Sequence, residues 1–196
     1  MQHYDVILFD VDGTLIDSAP GILNTLEEVF TKMGVDVTHV NLRRYLGPPL
    51  RKSFGEHFSD PAKIEEATEL YRESYREKGS HEGTAYPGVA EMLRRLKEAG
   101  FVLCTATSKP TVVVTPILEE QGLAPYFDFI GGASMDESRD TKTEVVRYVL
   151  TQPCVQGKRA LYGYGSREEL EPFGPVLLAE SCEELTDKLL ACRANG

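Results

Sequence analysis

The sequence lacks the marks of a membrane protein, a secreted protein or a nucleic-acid binder. No apolar run approaches the length of a bilayer span. The opening MQHYDVILFDVDGTL carries acids where a signal peptide would have a positive start and an unbroken apolar stretch, so a cytoplasmic protein with no membrane partner is expected. Positive charge is scarce: 21 Lys and Arg stand against 31 Asp and Glu, for a formal net charge of −10. That balance argues against binding a nucleic-acid backbone, which needs a basic stripe. A site for an anionic substrate must therefore make its positive field locally, from a metal ion, one or two lysines or backbone N–H groups. The four cysteines, Cys104, Cys154, Cys182 and Cys192, form no C-x-x-C pair, and reduced structural thiols are expected.

What remains is the mixture of an ordinary soluble globular protein, 41% hydrophobic and 27% charged, which excludes collagen-like, low-complexity and wholly disordered chains. A length of 196 residues suits one fold unit with a large insertion. Asp5 to Phe9 is a nearly continuous apolar run, as in a buried parallel strand, and it ends at two acids around a valine, followed by Gly13. From Ser18, a candidate cap, Ile22, Leu23, Leu26, Val29, Phe30 and Met33 keep helical spacing as far as Gly34. The pattern predicts further helices over Thr38 to Leu46, Leu50 to Phe58, and from Asp60-Pro61 to Gly79. Four helices without a strand read as a helical insertion.

After Tyr86-Pro87-Gly88 helix and strand alternate. Strands are predicted at Phe101 to Thr107, Asp128 to Gly131, Arg159 to Tyr162 and Pro175 to Ala179, with helices up to Gly100, over Val112 to Gln121 and from about Asp140 to Leu150. Ser166-Arg167-Glu168-Glu169 and Ser181-Cys182-Glu183-Glu184 both fit capping boxes.

Asp10 and Asp12 stand two residues apart at the end of the first strand, the end where open α/β sheets bind ligands. Two carboxylates beside a glycine suit a divalent metal, or a division in which one attacks and the other transfers protons. A D-x-D alone is equally an ordinary turn. The longer string Asp10-Val11-Asp12-Gly13-Thr14-Leu15 is more specific and resembles the first motif of the haloacid dehalogenase superfamily of phosphatases. FVLCTATSKP resembles the second motif, with Thr107 at the strand end. Lys142 in RDTKTEVV stands where the third-motif lysine belongs, and GPPLRKSF (Gly47 to Phe54) is similar to the cap segment of phosphoglycolate phosphatase-like members. Singly, a strand-end threonine, a helix lysine and a Gly-Pro-Pro helix stop all have structural readings.

The resemblance implies an α/β fold: a Rossmann-like, mostly parallel sheet flanked by helices, formed by 1–15 and 85–196, with an α-helical cap over 16–84. It implies a Mg²⁺-dependent phosphomonoesterase acting on a small phosphorylated metabolite, as a monomer or homodimer. Asp10 would be the nucleophile, Asp12 the proton donor and acceptor, and both would serve the metal. Thr107, Ser108 and Lys142 would hold the phosphoryl group, while Gly47, Pro48, Pro49 and Arg51 would face the substrate from a cap that closes over the site. A sugar phosphomutase of the β-phosphoglucomutase type shares the Asp pair and the cap position. A receiver domain combines similar groups, but the helical insertion directly after the first strand speaks against it.

The superfamily's fourth motif, a strand ending in Gly-Asp with a second acid nearby, is not found. Where it belongs the chain reads GKRALYGYGSREELE, and LYGYGSREEL resembles what normally follows that strand, a helix and another strand. The simplest alignment removes one βα unit between about Arg159 and Leu161. Alternatively Leu161-Tyr162-Gly163 fills the vacant strand, with Tyr164 in place of the Asp and Glu168 near the second acid. Neutral tyrosine is a poor Mg²⁺ ligand, and a helix cap explains Glu168 without metal. Loss of metal ligands opens a third reading, a catalytically impaired or non-catalytic relative.

Overall fold

The computed structural model describes residues 4–136, 138–163 and 179–194. The chain divides into two compact units, Met1–Ile16 with Ala85–Gly196, and Asp17–Thr84. Two short strands, β2 (Ile16–Asp17) and β3 (Thr84–Ala85), pair where the chain passes from one unit to the other.

The first unit is built on a parallel sheet of β1 (Val6–Phe9), β4 (Val102–Pro110), β5 (Phe129–Ala133) and β6 (Ala160–Gly163), in the order β5-β4-β1-β6. All four β1 side chains are buried, as a strand covered on both faces requires. Strand alternation sends Val6, Leu8, Cys104 and Ala106 to one face. There they join Ala133, Val145, Val149 and Val155 in one apolar cluster. Val145 and Val149 come from α6 (Lys142–Leu150), whose start is fixed by a capping box between Thr141 and Glu144. The helices α4 (Val89–Glu98), α5 (Thr111–Glu120) and α7 (Cys182–Ala194) complete the unit. In α4, Val89, Met92, Leu93 and Leu96 fall on one buried stripe.

The alignment that simply removes a βα unit leaves β1 without a neighbour on one side. The structure fills that place with the segment the alignment assigned elsewhere. β6 runs parallel to β1 in the register Val6↔Ala160 to Phe9↔Gly163, and Arg159 O accepts from the N–H groups of Asp5 and Val6. A buried strand with one edge unpaired leaves backbone groups unsatisfied, and the next segment able to form a strand satisfies them. Gly163 therefore ends the strand beside Phe9, and the next residue in sequence is Tyr164. Tyr164, Glu168, the capping box at Ser166 and residues 175–178 of the last predicted strand lie outside the described residues.

The second unit holds α1 (Ala19–Lys32), α2 (Leu50–Gly55) and α3 (Pro61–Glu77). Its core centres on Phe30, whose ring meets those of Phe54 at 5.3 Å and His57 at 4.6 Å between centroids. Two expectations are corrected. Ser18 makes no side-chain cap bond; Asp17 Oδ1 accepts from Ala19 N instead. The helix predicted over Thr38 to Leu46 shrinks to one 3-10 turn, Leu42–Tyr45. Asp36 and Asn41 accept from the N–H groups of Thr38 and Arg43, and such local bonds compete with helix formation.

Candidate active site

Asp10 is the first residue beyond β1, at the C-terminal edge of the sheet. The chain then turns tightly. Val11 O accepts from the N–H groups of Thr14, Leu15 and Ile16, and Gly13 N donates to Ile16 O with Gly13 at φ +73°. That conformation is strained for residues with a Cβ, which explains the glycine of the motif. Asp12 is held within the turn by a bridge to Ile16. β1 lies beside β4 in the register Phe9↔Thr105, so the two aspartates follow the same edge as the end of β4.

Each aspartate faces a lysine. Lys142 Nζ, from the first turn of α6, lies 2.7 Å from Asp10 Oδ1 and also donates to Ala106 O at 3.4 Å. The Asp10 side chain is only 6% exposed, and its buried Oδ1 faces the Lys142 ammonium. Lys109 Nζ lies 2.7 Å from Asp12 Oδ1. Thr107 is buried within β4, which runs past the predicted strand end to Pro110, and stands where the pairing with β5 slips; its Oγ1 accepts from Lys109 N. Ser108 is exposed. Asp10, Asp12, Thr107 and Lys142 thus gather at one sheet edge.

Gly47, Pro48, Pro49 and Arg51 belong to the second unit. Gly47 turns the chain at φ +101°, Pro49 precedes α2, and the Arg51 guanidinium forms a bidentate pair with Glu65. In the first unit Cys104 is fully buried and reduced, and burial pushes its thiol up to about 12, with Cys154 beside it adding to the shift. It is an inert core residue.

Sequence reasoning did not single out the glycines that let β5 close on this edge. A Cβ on Gly132 would stand 2.4 Å from Lys109 O and 3.0 Å from Thr111 N. The signal was two glycines inside a strand pattern, which marks a close backbone approach. Gly132→Ala is expected to lower stability by about 2 kcal/mol, as measured by urea denaturation. An unchanged midpoint would show that the backbone yields freely there.

A model of the haloacid dehalogenase-like hydrolase family matches residues 7–163. The chain belongs to that family. A 5'-nucleotidase of Pseudomonas aeruginosa is 30% identical, over 89% of this chain and 90% of its own. A phosphoglycolate phosphatase of Vibrio vulnificus is 27% identical, over 96% and 97%. Among solved structures, a predicted phosphatase from Clostridium acetobutylicum superposes with a TM-score of 0.85 at 34% identity, over 97% of this chain and all of its own. The nucleotidase alignment runs over 199 positions yet takes in 89% of the 196 residues here, so about 25 positions of that relative have no counterpart.

Family members use Mg²⁺, and the donors here fit it. Asp10 Oδ1 is a buried carboxylate oxygen beside Lys142, and the Asp12 backbone follows it on the same edge, so the Asp10 carboxylate and the Asp12 carbonyl would be the oxygens offered to the ion. Mg²⁺ is commonly held by one or two carboxylates, with phosphate and water oxygens completing its shell. Among the described residues no group of three or more His, Cys, Asp or Glu is placed to hold a metal.

Proposed function

We propose that this hydrolase cleaves a small phosphate monoester in two steps, through an aspartyl phosphate on Asp10 and with Mg²⁺ as cofactor. The observation that carries the reading is the buried Asp10 Oδ1, 2.7 Å from Lys142 Nζ. A buried carboxylate kept close to a cation is poised as a nucleophile.

In the first step Asp10 attacks phosphorus as the bond to the leaving oxygen breaks, and Asp12 gives that oxygen a proton. In the second, Asp12 takes a proton from water, the water oxygen bonds to phosphorus, and the bond to Asp10 breaks to release inorganic phosphate. Lys142 and Thr107 hold the other phosphoryl oxygens, as the amine and hydroxyl donors that phosphoryl transfer needs. Two aspartates and two lysines nearly cancel, so a phosphate dianion would add uncompensated charge. Mg²⁺, which the Asp10 carboxylate and, by analogy with the family, the backbone carbonyl of Asp12 would hold, would supply charge that offsets it. The relatives' names point to small esters, with phosphoglycolate or a nucleotide as examples, and Gly47 to Pro49 with Arg51 are assigned to substrate selection.

The test is p-nitrophenyl phosphate hydrolysis by a chain whose intact mass matches 196 residues. Turnover abolished by EDTA and restored by Mg²⁺ is expected. A folded protein of that mass without turnover would leave a ligand-binding relative short of metal ligands.

A further inference from the structure

We infer that Lys109 is a positioning residue for the second step: it fixes the Asp12 carboxylate as the base that takes a proton from water when the aspartyl phosphate is hydrolysed. The inference rests on the phosphatase reading above.

As a residue before a proline at a strand end, Lys109 could equally have been an exposed surface lysine. Instead its side chain is 9% exposed, against 31% for Lys142, and its ammonium is paired with Asp12 at 2.7 Å. A lysine so deeply buried needs a counter-charge, because burying an unpaired ammonium is strongly unfavourable. The local backbone explains how it reaches that place. The pairing of β4 with β5 runs in register to Thr107↔Gly132, then slips, resuming at Pro110↔Ala133. The slip turns the chain at Lys109. Lys109 N is held by Thr107 Oγ1, and Lys109 O packs where only a glycine at 132 leaves room. A side chain leaving so fixed a point has a defined reach, and its end meets the Asp12 carboxylate.

Lys142 is paired with Asp10, the attacking group. Lys109 is paired with Asp12 and holds that carboxylate in place. With p-nitrophenyl phosphate the leaving group departs as a stable anion and needs little help from Asp12. The effect of losing Lys109 then falls on hydrolysis of the phosphoenzyme.

The experiment mixes excess p-nitrophenyl phosphate and Mg²⁺ with the wild-type chain, Lys109→Met and Lys109→Arg, and follows product release before the steady state. Acid-quenched samples are weighed intact. Lys109→Met is expected to show a burst approaching one p-nitrophenolate per chain, larger than in the wild type. Its steady rate should be at least tenfold lower, with phosphorylated chain accumulating. Lys109→Arg, which keeps the charge, should recover part of the steady rate and shrink the burst. If Lys109→Met fails to fold, Lys109→Gln carries the same readout. A variant that slows without a burst and without phosphorylated chain overturns the inference and leaves the phosphatase reading standing, as does one that matches the wild type. A wild-type chain without turnover removes that reading and the inference with it.

Discussion

Asp10→Asn is expected to lower kcat/KM for a phosphate monoester by about a thousandfold or more, equivalent to ~4 kcal/mol of transition-state stabilisation. The amide is nearly the same size as the carboxylate, so packing at this buried position should survive, but it is a far weaker nucleophile and carries no charge for a metal. The lost pairing with Lys142 should cost about 1 kcal/mol of folding stability or less, because Lys142 is 31% exposed and can turn to water. The informative pattern is thus a collapse of turnover with a nearly unchanged denaturation midpoint. Turnover close to wild type would remove Asp10 from the nucleophile's role.

The second large effect lies in the helical unit and concerns stability. Gly21 sits inside α1, where alanine would ordinarily be favoured by roughly 1 kcal/mol. Here an added Cβ would stand 1.9 Å from Gly79 O and 2.8 Å from Gly79 C, both backbone atoms with no rotamer to escape into. The approach is close from both sides, since a Cβ on Gly79 would stand 2.4 Å from Thr25 Oγ1, which itself donates to Gly21 O. Overpacking against backbone should outweigh the gain in helix propensity, for a net loss of ~2–4 kcal/mol in urea denaturation. A variant as stable as the wild type would show that the Gly79 turn can move away at little cost.

Much of this architecture could be read from residue order because local and global signals agreed. The apolar run before Asp10 could only be a covered strand, and Asp60-Pro61 marked the start of α3, with Asp60 Oδ1 accepting from Ala62 N. Asp10, Asp12, Thr107 and Lys142 were singled out by their resemblance to family motifs, and the structure brings them to one sheet edge. The misreadings have physical causes. Thr38 to Leu46 carries helical spacing, but the side chains of Asp36 and Asn41 bind the backbone first. The strand beside β1 was assigned by family order, whereas unpaired backbone on a buried strand is satisfied by whichever segment can reach it. Lys109 was not legible as a partner of Asp12 because its course depends on a slip in strand pairing, and that slip depends on a glycine in another strand. No periodicity of one segment carries that information.

The central claim is a covalent phosphoryl group on Asp10, and borohydride trapping tests it most directly. An acyl phosphate is reduced to the alcohol, so an aspartyl phosphate becomes homoserine, whereas a free carboxylate is untouched. Treating the chain during turnover of p-nitrophenyl phosphate with Mg²⁺ and mapping its peptides should place homoserine at position 10, only when substrate is present. Turnover with Asp10 unreduced, or reduction at another acid, would contradict the account.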